Sequence, residues 1–349
     1  SFILTPLVVI LLVSFFINAR GTINIILLLH HKFTIFKIKY FSSSKSIQNK
    51  INKELINGKL WLNFCENLKK ASIYIMNGPS NIQIQCDGYR YLTRVLRAGL
   101  SEFMEYNDQK MPKLHSLVGA DNNIFMGADN PDNLYESCPL NKDTNYILKG
   151  LRGTVLYLSF NTQLGMYGDG KRIGMPLIDT LDMNKLKYLN DDSKYNDDLL
   201  KQKRSNDDKY FEIIISDTKP SSIDGNMNWL KKSNIENGRL IVRQTFGDKE
   251  NEFKAILKLE VYNDDCNDDI KMEPSTLNSE MIKYNLLNTT DLLIGSTLFF
   301  AQWSNKMRND LNNINKLPVK DQKEYIQAGG DINIFYYHSY YKIKSDEAL

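Results

Sequence analysis

Apolar residues recur at helical spacing from Lys59 onward. Trp61, Phe64, Cys65, Leu68, Ala71 and Ile75 share one face before Gly78-Pro79 ends the run. A second helix is predicted from about Asp87, with Leu92, Val95, Leu96, Gly99, Leu100 and Phe103 as its buried stripe and Arg90, Arg94 and Arg97 along the border. Further on the period shortens. Turn-bounded runs at 146–148, 154–160 after a turn at 150–153, 210–216, 239–246 and 253–262 read as strands. A helical stretch over 275–315 and a final strand over 331–342 complete the pattern. The expected fold is α+β: one mainly antiparallel, β-sandwich-like domain with helices near the N-terminus and before the last strand.

Two segments stand apart. Residues 1–44 form an apolar leader, unbroken over 7–17 except for Ser14 and resuming over 23–29 after a polar break at 18–22. Neither run reaches the roughly 20 residues of a clean membrane span. A signal peptide, a signal anchor and mistranslated non-coding sequence all stay open, and with them membrane association through residues 1–41 or secretion. Residues 184–209 are rich in Asn, Asp and Lys and are expected to be a solvated surface loop inserted into the domain at 45–349. The start at Ser1 and the abrupt end at Leu349 suggest an incomplete domain.

Composition narrows the function classes. In 349 residues, 42% hydrophobic and 24% charged, there is ample material for a core. The 44 basic and 41 acidic residues are scattered, so no basic field for gripping a phosphate backbone is visible and nucleic-acid binding is disfavoured. Cys65, Cys86, Cys138 and Cys266 lie far apart, with no metal-ligand spacing; two disulfides stay open, and isolated, partly buried thiols are the expected state.

The stretch Gly88-Tyr89-Arg90-Tyr91-Leu92-Thr93-Arg94-Val95-Leu96-Arg97-Ala98-Gly99-Leu100 resembles a bacterial and eukaryotic family whose members carry a domain of unknown function, DUF1214. Four further blocks follow in the family's order. They are Ala128-Asp129-Asn130-Pro131-Asp132-Asn133-Leu134-Tyr135, then Leu151-Arg152-Gly153-Thr154-Val155, then Asn228-Trp229-Leu230 with Val242-Arg243-Gln244-Thr245-Phe246, and finally Tyr336-Tyr337-His338 with Asp346-Glu347-Ala348-Leu349. The resemblance spans roughly 59–349. It implies relatives that continue into another strand-rich stretch, and it implies no established reaction.

Arginine is scarce in this chain, ten residues in all, and five of them (Arg90, Arg94, Arg97, Arg152 and Arg243) fall inside these blocks. Planar bidentate donors kept in such places suit an anionic ligand or internal ion pairs. Arg90, Arg94 and Arg97 share one helix side and read either as partners in salt bridges to Asp129, Asp132 or Glu102 or as ligands of a bound anion, with Arg90, Arg94 and Asp129 expected to form one connected polar cluster. Asp129, Asn130 and Asp132 read either as a hard-cation loop or as side chains capping an Asn-Pro turn. The glycine-dotted loop at 165–174 reads as a hairpin connection. Glu212, Glu252 and Glu260 read either as a carboxylate pair for acid and base chemistry or as a solvated strand face. The ligand-binding candidates are therefore Arg90, Arg94, Arg97, Asp129, Asn130, Asp132, Arg152 and Arg243, with no metal site, no assigned catalytic residue and no named cofactor. The expected function is a binding or structural β-rich module for a small polar or anionic ligand such as a glycan; the alternative is a hydrolase using carboxylates or a bound cation.

Overall fold

The computed structural model describes residues 45–78, 80–119, 121–127, 129–165, 175–189, 198–204, 208–221, 227–234, 238–262, 273–310, 312 and 314–343. The leader at 1–44, Cys266 and most of the glycine-dotted loop lie outside the described residues. Among the described residues no helix is long and apolar enough to cross a membrane.

Three helices open the described chain: α1 (Lys45–Ile56), α2 (Lys59–Met76) and α3 (Ile82–Leu100). Gly58 joins the first two with φ +74°, a left-handed conformation that glycine adopts without a Cβ penalty. The Asn81 side chain accepts from the Ile84 amide at 3.1 Å and so caps α3, satisfying one of its orphan donors. A π-helical turn, Ser101–Glu105, ends this layer. Among the described residues nine strands follow: β1 (His115–Gly119), β2 (Asn133–Leu140), β3 (Asn145–Leu151), β4 (Tyr157–Leu164), β5 (Leu177–Asp182), β6 (Tyr210–Ser216), β7 (Asn228–Lys231), β8 (Gly238–Thr245) and β9 (Ile256–Tyr262). The long α4 (Ser279–Asn309) and short α5 (Lys323–Gln327) close the chain.

The strands make two sheets, as the period-two pattern predicts. The first has the order β1-β2-β8-β4-β5 and is antiparallel throughout; the second has the order β7-β6-β3-β9, with β6 and β7 parallel. Alternation sends Leu158, Phe160, Leu240 and Val242 from the first sheet into a core shared with Tyr146, Leu148, Phe211, Ile213 and Ile215 of the second. The opposite side of the first sheet is covered as well. There Val118 and Ile241 meet Leu92, Val95 and Ala98 of α3 and Leu292 and Leu293 of α4. The two helices approach closely at Gly99, where an added Cβ would stand 3.1 Å from Thr289 Cγ2. The architecture is thus a sandwich with a helical layer on one sheet.

Several expectations need correction. The strand expected at 154–160 runs from Tyr157 to Leu164, because residues 153–155 are bound elsewhere: the Thr154 amide donates to Phe253 O at 2.9 Å, and Thr154 Oγ1 accepts from the Phe253 amide at 2.8 Å. The final strand over 331–342 is absent apart from one bridge between Ile314 and Tyr340. Side chains have taken its backbone donors: Asn333 N donates to Asp331 Oδ1 at 2.9 Å and Tyr336 N to Gln322 Oε1 at 2.8 Å. In the described parts of 184–209, Leu186 and Leu199 are buried, and Asn228 holds both backbone groups of Lys187 at 2.8 Å. That part of the insertion is packed against the sheets.

Candidate functional site

A sheet buried on both sides normally presents apolar residues to both. The helix-facing side of the first sheet departs from this. Odd-numbered positions of β2, β4 and β8 share that side through the registers Tyr135↔Arg243↔Ser159 and Ser137↔Ile241↔Asn161, so it carries Tyr135, Ser137, Ser159, Asn161, Gln163, Arg239 and Arg243. Apart from Tyr135, which is half-buried, all of these side chains are buried.

Two arginines organise this layer. Arg239 donates from Nη1 to Glu102 Oε1 and, at 2.8 Å, to Ser137 Oγ. Glu102 comes from the π-helical turn, a local widening of the helix often found at functional sites. Its second oxygen lies 3.1 Å from His115 Nε2, within ion-pair distance but not aligned as a hydrogen bond. Tyr106 stacks on His115 with centroids 4.4 Å apart. Burial opposes ionisation of Glu102, yet the Arg239 charge and His115 together hold its carboxyl below the ordinary range.

Arg243 is equally buried, 6% exposed against 4% for Arg239. It donates from Nη1 to Asn161 Oδ1 and from Nη2 to Gly329 O, and its guanidinium lies 5.9 Å from the Tyr135 ring centroid. Both acceptors are neutral. Among the described residues no carboxylate lies within ion-pair distance of Arg243. The irregular segment after α5 closes over it, with Gln163 Nε2 also donating to Gly329 O at 2.9 Å. In that segment Asp331 N donates to Tyr336 OH at 2.7 Å, and Asp331 Oδ2 accepts from Tyr157 OH at 3.3 Å. Burial, then the Asp331 and Asp182 charges, push the Tyr157 phenol well above its ordinary range. Two buried acceptors, Asn133 Oδ1 and Gln163 Oε1, have no hydrogen-bond donor.

The other candidates do not gather here. Arg90 pairs with Asp87 at 2.9 Å in solvent, Arg97 donates to Asn122 O, and Arg94 lies over the Phe125 ring at 5.9 Å. Each arginine has thus found a neighbour on its own helix or in the 122–125 turn, and the expected cluster with Asp129 and Asp132 does not form. Asp129 accepts from Met126 N at 2.6 Å and Gly127 N at 3.1 Å, with its pKa raised by burial against those bonds. Asn130 Oδ1 accepts from Asp132 N at 2.9 Å, the Asx-turn alternative. Arg152 donates to Gly153 O at 3.0 Å and Val155 O at 2.8 Å, tying its own loop. Only Arg243 of the eight lies in the buried polar layer.

Glu102, Arg239, His115, Asn161 and Tyr336 were not singled out as site residues from sequence. The signal for three of the polar positions was present in β4 and β8, where Ser159, Asn161 and Arg243 alternate with Leu158, Phe160 and Val242. Polar residues alternating with apolar ones ordinarily mean a solvated face, and only the helical layer reveals that this face is covered.

Fold and site define an α+β protein with a polar layer enclosed between sheet and helices. The chain belongs to the same family as an uncharacterized protein from Burkholderia cenocepacia: 31% identity and a TM-score of 0.69, covering 84% of this chain and 72% of that one. A Vibrio parahaemolyticus protein, 11% identical with a TM-score of 0.28 over 53% of this chain and 46% of its own, is too distant to inform the fold. No family model and no curated protein matches the chain.

Proposed function

We propose that this chain is a β-rich binding module that captures a small ligand by a negatively charged group at Arg243. The carrying observation is a buried guanidinium whose acceptors are all neutral, a few rungs from an arginine neutralised by Glu102. Burying a charge without a counter-charge is costly, and a ligand that brings the counter-charge offsets that cost on binding. Hydrolysis is less well supported. Glu212 accepts from Tyr210 OH at 2.8 Å, Glu260 pairs with Lys149 at 3.0 Å and Lys258 at 2.6 Å, and Glu252 accepts from Gly247 N at 2.8 Å. Each carboxylate is committed to a different partner. We also propose that the family shared with the Burkholderia protein is the DUF1214-bearing one, on the strength of the five blocks in order.

Native mass spectrometry of the complete protein, with Arg243→Met beside it, tests the capture function. A small adduct retained by the wild type and lost from the variant is expected; adducts that are the same in both would contradict it.

A further inference from the structure

Granted the anion site proposed above, its surroundings narrow the ligand. We propose that Arg243 receives a monocarboxylate and that Tyr135 and Tyr336 donate their phenol protons to the same group. Tyr135 OH already accepts from Asn130 N at 3.1 Å and Asn133 Nδ2 at 3.0 Å, and Tyr336 OH accepts from Asp331 N at 2.7 Å. These bonds occupy both lone pairs of Tyr135 and one of Tyr336, and they leave each O–H proton to give. Among the described residues neither phenol donates to a side chain or carbonyl. Burial raises both phenol pKa values, so both rings hold their protons through the neutral range. Tyr135 lies against the Arg243 guanidinium, and Tyr336 packs on Gly330, next to the Gly329 carbonyl that Arg243 holds. The three residues therefore offer a set of donors.

Charge and shape set the class. One guanidinium supplies one positive charge with no ion-pair partner among the described residues, and the buried Asp331 lies beside Tyr336, whose OH accepts from its amide, so a second negative charge on the ligand would meet that carboxylate. Asn161 and Gly329 take one N–H from each Nη of Arg243, and the guanidinium N–H groups left over suit a planar carboxylate. Inorganic phosphate and dicarboxylates fit the geometry or the charge less well.

The test is calorimetric titration of the whole protein at constant ionic strength with acetate, benzoate, succinate and inorganic phosphate. Acetate or benzoate should bind at least about tenfold more tightly than succinate or phosphate, and Tyr336→Phe should weaken the carboxylate about tenfold, the equivalent of one lost hydrogen bond at 1.4 kcal/mol. Phosphate or succinate binding as tightly, and losing that binding in Arg243→Met, would overturn the monocarboxylate assignment and leave the anion site standing. Binding of all four unchanged in Arg243→Met, or no binding of any, would overturn the anion site itself. Unaltered carboxylate affinity in both Tyr135→Phe and Tyr336→Phe would remove the phenols from the set of donors. The wild-type selectivity needs no variant, so a misfolded mutant cannot mask the outcome.

Discussion

Arg239 and Arg243 leave one strand on one side, four residues apart, and are buried to the same degree. Arg239 meets Glu102, which arrives from the π-helical turn with His115 behind it; Arg243 meets an amide oxygen and a backbone carbonyl. The difference lies in what covers each end of the sheet. Over Arg239 lies the helical layer, whose closing π-helical turn contributes a side chain of opposite charge. Over Arg243 lies an irregular segment whose carboxylate, Asp331, is turned to Tyr157 and Asn333. A strand position thus acquires its role from its cover as much as from its own residue type.

The largest expected effect comes from the neutralised pair. Arg239→Met or Glu102→Ala strands the remaining charge in a buried site and should cost about 3–5 kcal/mol in chemical denaturation. Acid should expose the same pair. Because the folded pKa of Glu102 is depressed, its contribution is complete above the ordinary value of 4.5 and is lost as pH falls below it toward the folded pKa. Glu102→Gln should flatten that acid limb, and an unaltered slope would show that the carboxyl is not ionised in the fold.

Next in size is a change away from the polar layer. Gly153 has φ +65°, and a Cβ there would stand 2.4 Å from Phe253 O, so Gly153→Ala should cost about 2 kcal/mol or more. This gives the motif 151–155 a backbone reason for its glycine and separates structural motif residues from the arginines. Smaller still is Arg243→Met in the free protein. Lost hydrogen bonds and relief from an unneutralised charge oppose each other, so the cost should stay within about 1–2 kcal/mol. Arg90→Ala, an exposed pair with Asp87, should stay within about 0.5 kcal/mol; a large loss there would revive the expected arginine cluster on α3.

Sequence periodicity located α2, β6 and β8 to within a few residues, because each has a sustained apolar face, and placed α3 and α4 more coarsely, since α4 buries Asn285, Asn288, Thr289, Thr290 and Asp291 among its apolar residues. It missed α1 and the four-residue β7, and also β1, β2 and β5, where Ser, Glu, Pro and Asp interrupt the alternation. It also read 331–342 as a strand, since alternating aromatics resemble one until Gln322 and Asp331 are seen to bind the backbone. The site was legible only through Arg243. Arg239 and Glu102 come together over a sequence separation of 137 residues, and no local pattern encodes that meeting.

The central claim is that two equally buried arginines divide structure from ligand capture. It is tested most directly by measuring unfolding free energy for Arg239→Met and Arg243→Met side by side, with and without saturating acetate. The account predicts that Arg239→Met is much the less stable without acetate, and that acetate stabilises the wild type but leaves Arg243→Met unchanged. Equal losses in the two variants, with the same acetate response in Arg243→Met as in the wild type, would contradict it.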